Sequence, residues 1–376
     1  MRWEYNDYIK WVEQGHPINT EVLELDISYY DIKSLEPIKN LINLKKLICS
    51  KNNIQSLEPV KNLINLKILE CGINNIESLE PLRDLINLEM LYFQANKIEV
   101  LEPLNNLINL KELDCSYNKI KSLEQFRNFI NLELLYCSHL TIRSLEPIKN
   151  LINLKTLYCS FNQIQSLEPI KNLINLQALN FSCNKIKSLE EIENLINLKT
   201  LYCFNNQIQS LEPIKNLINL QVLNFSYNKI LSLKGIENLI NLKTLYCPHN
   251  QIQSLEPLNG LINLKELYCY GNHIQSLEGT ENLINLIILV CCHNDILFIG
   301  QIRNLINLET FYCYNNKIQS LEPIKDLINL RDLNCSRNAI RSLEPLKNLI
   351  NLRYLYFHDN LIDHVPSYIP DKIYKF

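Results

Sequence analysis

The apolar residues of this chain recur with a fixed step of 22. The tetrad Leu-Ile-Asn-Leu begins at residues 41, 63, 85, 107, 151, 173, 195, 217, 239, 261, 283, 305, 327 and 349, and Phe-Ile-Asn-Leu begins at 129. No insertion or deletion interrupts the step. A divergent first copy fills 19–40, so sixteen units cover 19–370. Positions within a unit are numbered here from 1 to 22, starting at its leading Leu. Residues 151–172, LINLKTLYCSFNQIQSLEPIKN, form a typical copy.

The period changes inside each unit. Leu157 and Cys159 alternate around a polar-tipped residue, which predicts a short strand. From Ile164 onward, Leu167, Ile170, Leu173 and Leu176 recur every three residues, which predicts a 3₁₀ or extended return path. Pro169 blocks an ordinary helix interior there. Positions 1, 4, 7, 9, 14, 17 and 20 are predicted to face inward, and position 14 is Ile in all sixteen copies. One such coil cannot bury its apolar face alone, so the pattern predicts stacked coils of a solenoid. Position 12 is Asn in fourteen units, with Tyr30 and Leu140 as exceptions. An amide carries two N–H donors and an acceptor. Placed just after a strand, it is expected to tie coil to coil in a buried ladder.

These residues, L-x-x-L-x-[C/F]-x-x-N-x-I-x-x-L, resemble the leucine-rich repeat. The 22-residue length and the NL-x-NL junction are similar to the subclass found in internalins and the regulatory subunit of protein phosphatase 1. The near-identical Asn-, Ile- and Lys-rich copies, and the opening YIKWVEQGHPIN, also resemble leucine-rich repeat proteins of giant viruses such as mimivirus. The resemblance implies an α/β fold, a right-handed solenoid or horseshoe. A parallel β-sheet would line its concave face, and 3₁₀ or extended segments its convex face. It also implies a non-catalytic, protein-binding scaffold.

The ends depart from the repeat. Residues 1–18 place Trp3, Tyr8, Trp11 and Val12 at helical spacing before Gly15 and Pro17, which predicts an amphipathic capping helix. The repeats 19–370 are expected to form one domain. Residues 371–376 form a C-terminal tail, part of an apolar cap with Val365, Tyr368, Ile369, Ile373, Tyr374 and Phe376.

Composition narrows the function. Lys and Arg number 37, Asp and Glu 40, for a net charge of −3. No basic field is present to hold a nucleic-acid backbone. No apolar run approaches a membrane span. The charged N-terminus is unlike a secretory signal. The expected location is cytoplasmic, in the host cytoplasm if the protein is viral, and not secreted. The thirteen cysteines should then be free thiols. Eleven of them occupy position 9, where Phe93, Phe181, Phe225 and Phe357 stand in other copies. A position that accepts Cys or Phe is an apolar packing site, not a metal column. Cys291, Cys292, His293 and Asp295 form one cluster of metal-type ligands. Adjacent strand residues point to opposite faces, so Cys291 is expected inward and Cys292 outward. Neither a metal, a cofactor nor a catalytic constellation is expected, and the chain is read as no enzyme.

The informative surface is the sheet face opposite the core, where positions 6, 8 and 10 should meet solvent. Eight of the nineteen tyrosines sit at position 8. The candidate partner-binding residues are Tyr136, Tyr158, Tyr202, Tyr246, Tyr268 and Tyr312 at position 8, with Phe204, Tyr270 and Tyr314 at position 10. Tyrosine combines a large apolar face with a polar tip at low entropic cost, which suits docking of a protein partner. An inert ladder is the alternative, because tyrosine also favours strands and stacks across them. The first strands are acidic instead, with Glu24, Asp26, Glu70, Glu112 and Asp114 against Lys46. Position 2 is Ile in fifteen copies, off the inward stripe. Weak self-association through this column, as in a structural or virion-associated protein lacking a concave ligand, is the second reading. Unit 283–304 also puts Leu297 and Phe298 where polar residues normally stand.

Overall fold

The computed structural model of the chain describes residues 1–369. It divides into two compact units, Met1–Lys185 and Ile186–Phe376. The division falls inside the coil 173–194. Both units repeat one coil design.

In the first unit, a two-residue strand, Arg2–Trp3, leads into helix α1, Tyr5–Glu13. Helix α1 starts with a capping box in which Glu4 and Asp7 satisfy each other's backbone amides. Tyr8 and Trp11 are buried, and the Trp11 indole N–H donates to the Pro17 carbonyl at 3.0 Å. Trp3 departs from the expected helical face. It lies in the leading strand, where its backbone pairs with Leu25. This strand extends the sheet by one rung before the first coil.

One three-residue strand follows in each coil, at positions 6–8, from Glu24–Asp26 to Ala178–Asn180 in the first unit. In the second unit the strands run from Thr200–Tyr202 to Tyr354–Tyr356. Within each unit successive strands pair parallel and in register at the 22-residue step. Tyr136 faces Tyr158, and Tyr246 faces Tyr268. The strands are short because only the central residue, always apolar, has to reach the core.

The return leg carries a 3₁₀ turn at positions 18–20, such as Glu168–Ile170. Pro169 sits at its start, where a missing N–H costs nothing, and Ser166 Oγ accepts the Glu168 amide at 3.1 Å. Coils 217–238 and 261–282 differ. Gly235 and Gly279 replace the proline with φ of 105° and 95°, and the 3₁₀ turn gives way to one closed by a carboxylate. Glu237 accepts the Gly235 amide at 2.7 Å, and Glu281 accepts the Gly279 amide at 2.8 Å. A Cβ on Gly235 would lie 2.5 Å from the Leu211 carbonyl oxygen.

All seven predicted inward positions are buried in the internal coils. In coil 151–172 these are Leu151, Leu154, Leu157, Cys159, Ile164, Leu167 and Ile170. In the last coil Leu352, Phe357, Ile362 and Tyr368 are half-buried, and Val365, expected in the apolar cap, is instead exposed because among the described residues no further coil covers it. The position-12 amide forms the expected ladder. Asn228 Nδ2 donates to Cys203 O at 3.0 Å in the preceding coil and to Phe225 O at 2.9 Å in its own. Its Oδ1 accepts the Ile208 amide at 3.0 Å. Leu140 interrupts this ladder. Beside it, Thr141 N reaches Ile120 O at 3.4 Å, whereas the equivalent bond from Gln163 to Ile142 is 2.9 Å.

Position 11 turns the chain after each strand with φ between 52° and 69° in every non-glycine copy. Bulky residues in this left-handed region cost on the order of 1 kcal/mol each. The ladder amide one residue later holds the turn in place. At the far end, Ile369 is buried and the Tyr368 hydroxyl donates to Leu343 O at 2.9 Å. Ile373, Tyr374 and Phe376 lie outside the described residues.

Candidate partner-binding face

The strand geometry sets which side chains reach the open face of the sheet. Position 7 points into the core, so positions 6 and 8 point away from it. Every position-8 tyrosine is half-buried. The expectation for position 10 needs correction. Ser116, Ser160, Ser182, Ser226, Ser336 and Cys292 are all buried there. The chain bends toward its left-handed turn at this point, so many small position-10 residues are covered by their neighbours, although Ser28, Ser50 and Ser138 stay partly open. Phe204, Tyr270 and Tyr314 are half-exposed.

The position-8 column contains two kinds of rung. Where position 8 is Asp or Asn and position 10 is Ser, the side chain folds back onto its own turn. Asp26 accepts the Ser28 amide at 3.1 Å, Asp114 the Ser116 amide at 2.9 Å, and Asn224 the Ser226 amide at 3.0 Å. Two of the five carboxylates of the acidic first strands, Asp26 and Asp114, are thus engaged locally. Burial also raises the Asp114 carboxyl above its usual range.

Eight of the other rungs present tyrosine, and Ile48, Glu70 and Val290 fill the remaining three. In the first unit the Tyr136 and Tyr158 rings meet edge to face at 5.1 Å, and the Tyr92 hydroxyl donates to Glu112. In the second unit Tyr246 and Tyr268 stack at 4.5 Å with planes 10° apart. Tyr202 and Phe204 share one coil, as do Tyr268 and Tyr270, and as do Tyr312 and Tyr314. The Tyr312 hydroxyl donates to Asp332 at 2.6 Å. Tyr92 and Tyr312 are therefore tied to carboxylates of the next coil. Burial pushes the Tyr268 hydroxyl up to about 12, with nearby Glu266 adding to the effect. Burial likewise raises Tyr136, Tyr246, Tyr270 and Tyr314. All stay neutral donors at physiological pH.

One surface feature escaped the sequence reading. At position 11, His139 is sandwiched between Tyr117 at 3.9 Å and Phe161 at 4.1 Å, with ring planes within 15°. Tyr227 and His249 stack likewise at 4.4 Å. Desolvation lowers the His139 pKa. The signal was present, since successive units carry Tyr, His and Phe at one register. What the sequence concealed was a left-handed turn that stands these rings in line at the strand ends.

The metal-type ligands do not converge. Cys292 is buried, contrary to the outward placement expected for it, and its thiol donates to Tyr312 O at 3.4 Å. Asp295 pairs with Lys317 at 2.6 Å, and His293 Nδ1 lies 2.7 Å from the Asn315 amide. Among the described residues no cluster of three His, Cys, Asp or Glu side chains is arranged to hold a metal ion. No described helix is long and apolar enough to cross a membrane.

This coil defines a class. A family profile described as leucine-rich repeats (2 copies) matches residues 42–84, 86–128, 130–172, 174–216, 196–240, 218–260 and 240–284. These spans exceed half of the sequence, and the chain belongs to the leucine-rich repeat family. Its fold is similar to that of a leucine-rich repeat protein of Leptospira interrogans, with a TM-score of 0.78 and 26% identity over 100% of both chains. It is also similar to the functional domain of InlJ from Listeria monocytogenes, described as including a cysteine ladder. That likeness has a TM-score of 0.75 and 25% identity over 88% of this chain and 72% of that one. Against an internalin, InlF, from Listeria monocytogenes, the TM-score is 0.62 at 25% identity, over 91% and 86% of the two chains. No curated protein matches the chain.

Proposed function

We propose that this chain is a non-catalytic scaffold that docks a protein partner on the tyrosine-rich open face of its sheet. The observation carrying this reading is the parallel-stacked Tyr246–Tyr268 pair with Tyr270 beside it. Two rings held face to face lose little entropy on binding and offer a broad apolar edge ringed by hydroxyl donors. The coils around them carry Thr244, Val290 and Thr310 at the outward strand positions, with Glu266 as the charge nearest the pair. Such a surface suits the apolar and aromatic side chains of a protein segment. The first unit's Tyr136–Tyr158 pair offers a smaller version of the same surface.

The test is affinity capture from the native cellular context with wild-type protein and a Tyr202→Ser/Tyr246→Ser/Tyr268→Ser variant. The reading expects a partner that the wild type retains and the variant loses, with circular dichroism unchanged. Undiminished capture by a folded variant overturns it. We also place the protein in a reducing, cytoplasm-like compartment, the host's if the chain is viral. A chain with thirteen cysteines and no disulfide among them is what such a compartment maintains. Disulfides found in protein isolated from its native source would refute this placement.

A further inference from the structure

Position 2 opens the turn that leads into each strand, and it places isoleucine on the surface coil after coil. In the second unit Ile196, Ile218, Ile240, Ile262, Ile284, Ile306 and Ile328 are each 49–57% exposed, and Ile350 is 84% exposed. Neutral amides border the stripe. Every position 3 in these coils is Asn, and most position-22 residues are Asn as well. The position-3 amides are already fixed, for Asn219 Nδ2 donates to Ile196 O and Asn241 Nδ2 to Ile218 O, both at 2.9 Å. The result is an apolar ridge, one side chain per rung, bordered mainly by neutral, pre-ordered amides, with Asp326 as the charged exception.

Scattered exposed isoleucines need no explanation, but a continuous row of eight does. At roughly 90 Å² of exposed surface apiece, the row presents roughly 700 Å², near the ~800 Å² per partner of a stable interface. A surface of fixed pitch matches best another surface of the same pitch, and a second copy supplies one. We propose that this ridge is the contact of an antiparallel homodimer. The pairing stands independently of the tyrosine face.

The next outward row, position 5, is consistent with a two-fold axis between Ile262 and Ile284. Rotation about that axis sets Lys265 of one copy opposite Ile287 of the other, Lys243 opposite Glu309, and Gln221 opposite Arg331, with Lys199 and Arg353 facing each other only at the exposed outer ends, where solvent screens like charges. Within a chain Lys243 already bonds Gln221 at 3.1 Å, and Glu309 already pairs with Arg331 at 2.9 Å. The two-fold joins these pairs into one four-residue polar cluster on each side of the axis. An isologous contact of this kind closes on itself and stops at two.

Sedimentation velocity of the full chain, from about 1 to 100 µM, tests the pairing. The expected result is a monomer–dimer equilibrium in which Ile240→Thr/Ile262→Thr/Ile284→Thr raises Kd at least about tenfold with Tm unchanged. Lys243→Glu should weaken the dimer, and Lys243→Glu combined with Glu309→Lys should restore it. Tyr246→Ser/Tyr268→Ser should leave the dimer intact. A wild type monomeric throughout this range, or a triple variant with unaltered Kd, overturns the proposal. Failure of the charge swap to rescue overturns the antiparallel register.

Discussion

Replacing Asn228 by Ala tests what holds one coil to the next. The side chain is 8% exposed and makes its bonds entirely to backbone groups. Its removal does not orphan the three carbonyls it serves. Cys203 O keeps the Asn206 amide at 3.2 Å, Phe225 O keeps the Asn250 amide at 3.1 Å, and Ser226 O, 3.2 Å from Asn228, keeps the Asn205 backbone amide at 2.9 Å. The Ile208 amide, by contrast, loses the oxygen it donates to. One buried unpaired N–H plus three weakened acceptors amounts to about 2–3 kcal/mol. Hydrogen exchange read by mass spectrometry or NMR is the appropriate assay, because coils of a solenoid open locally. Exchange at Ile208 should accelerate about 30- to 150-fold. The control is Asn219→Ala, which removes one exposed bond to Ile196 O and should move exchange little. Acceleration below about threefold at Ile208, or equal effects of the two substitutions, refutes the ladder's role. The reciprocal change, Leu140→Asn, should raise protection at the Ile120 amide, where that rung is missing.

Other outcomes follow from particular residues. His139 should titrate below ~6.5 by imidazole NMR, because its aromatic sandwich disfavours the charged ring. A lowered folded pKa means that its contribution to stability is present above ~6.5 and is lost as pH falls toward the folded value. His139→Phe should flatten that slope in the melting temperature. Gly235→Ala should cost about 2 kcal/mol or more in urea unfolding, since φ is 105° and the added carbon meets the Leu211 carbonyl; an unchanged midpoint would contradict the turn. Burial pushes the thiols of Cys71, Cys159, Cys292 and Cys335 up to about 12. An aromatic disulfide reagent should therefore find at most the half-exposed Cys183 in native protein, and the remainder only after denaturation. Rapid reaction of several thiols would show that the position-9 column is open.

The coil was readable from sequence because period and burial are the same fact in a repeat. A residue such as Ile164 or Asn162 stands at one register in copy after copy, so its environment is sampled many times. The single registers that the sequence misplaced are those where backbone curvature decides. Position 10 follows a strand and precedes a left-handed turn, so alternation alone put Cys292 outside when it is inside. The Tyr117–His139–Phe161 stack depended on the same turn. Trp3 left the helix for a strand because edge pairing with Leu25 outweighed helical spacing. The tyrosine column was legible as a row on the sheet face opposite the core, where its rings are half-buried. Its division into carboxylate-tied rungs, at Tyr92 and Tyr312, and the stacked pair at Tyr246 and Tyr268 was not. That distinction depends on which partner lies at position 6 or 8 of the adjacent coil and on side-chain rotamers.

The most direct test of the open-face reading is hydroxyl-radical footprinting of the protein alone and bound to a captured partner. Docking on the tyrosine face predicts that oxidation of Tyr246, Tyr268 and Tyr270 falls severalfold on binding, while Pro257 and Pro323 on the return legs are unaffected. Protection of the return-leg prolines with those three tyrosines still oxidised at the free rate would contradict it.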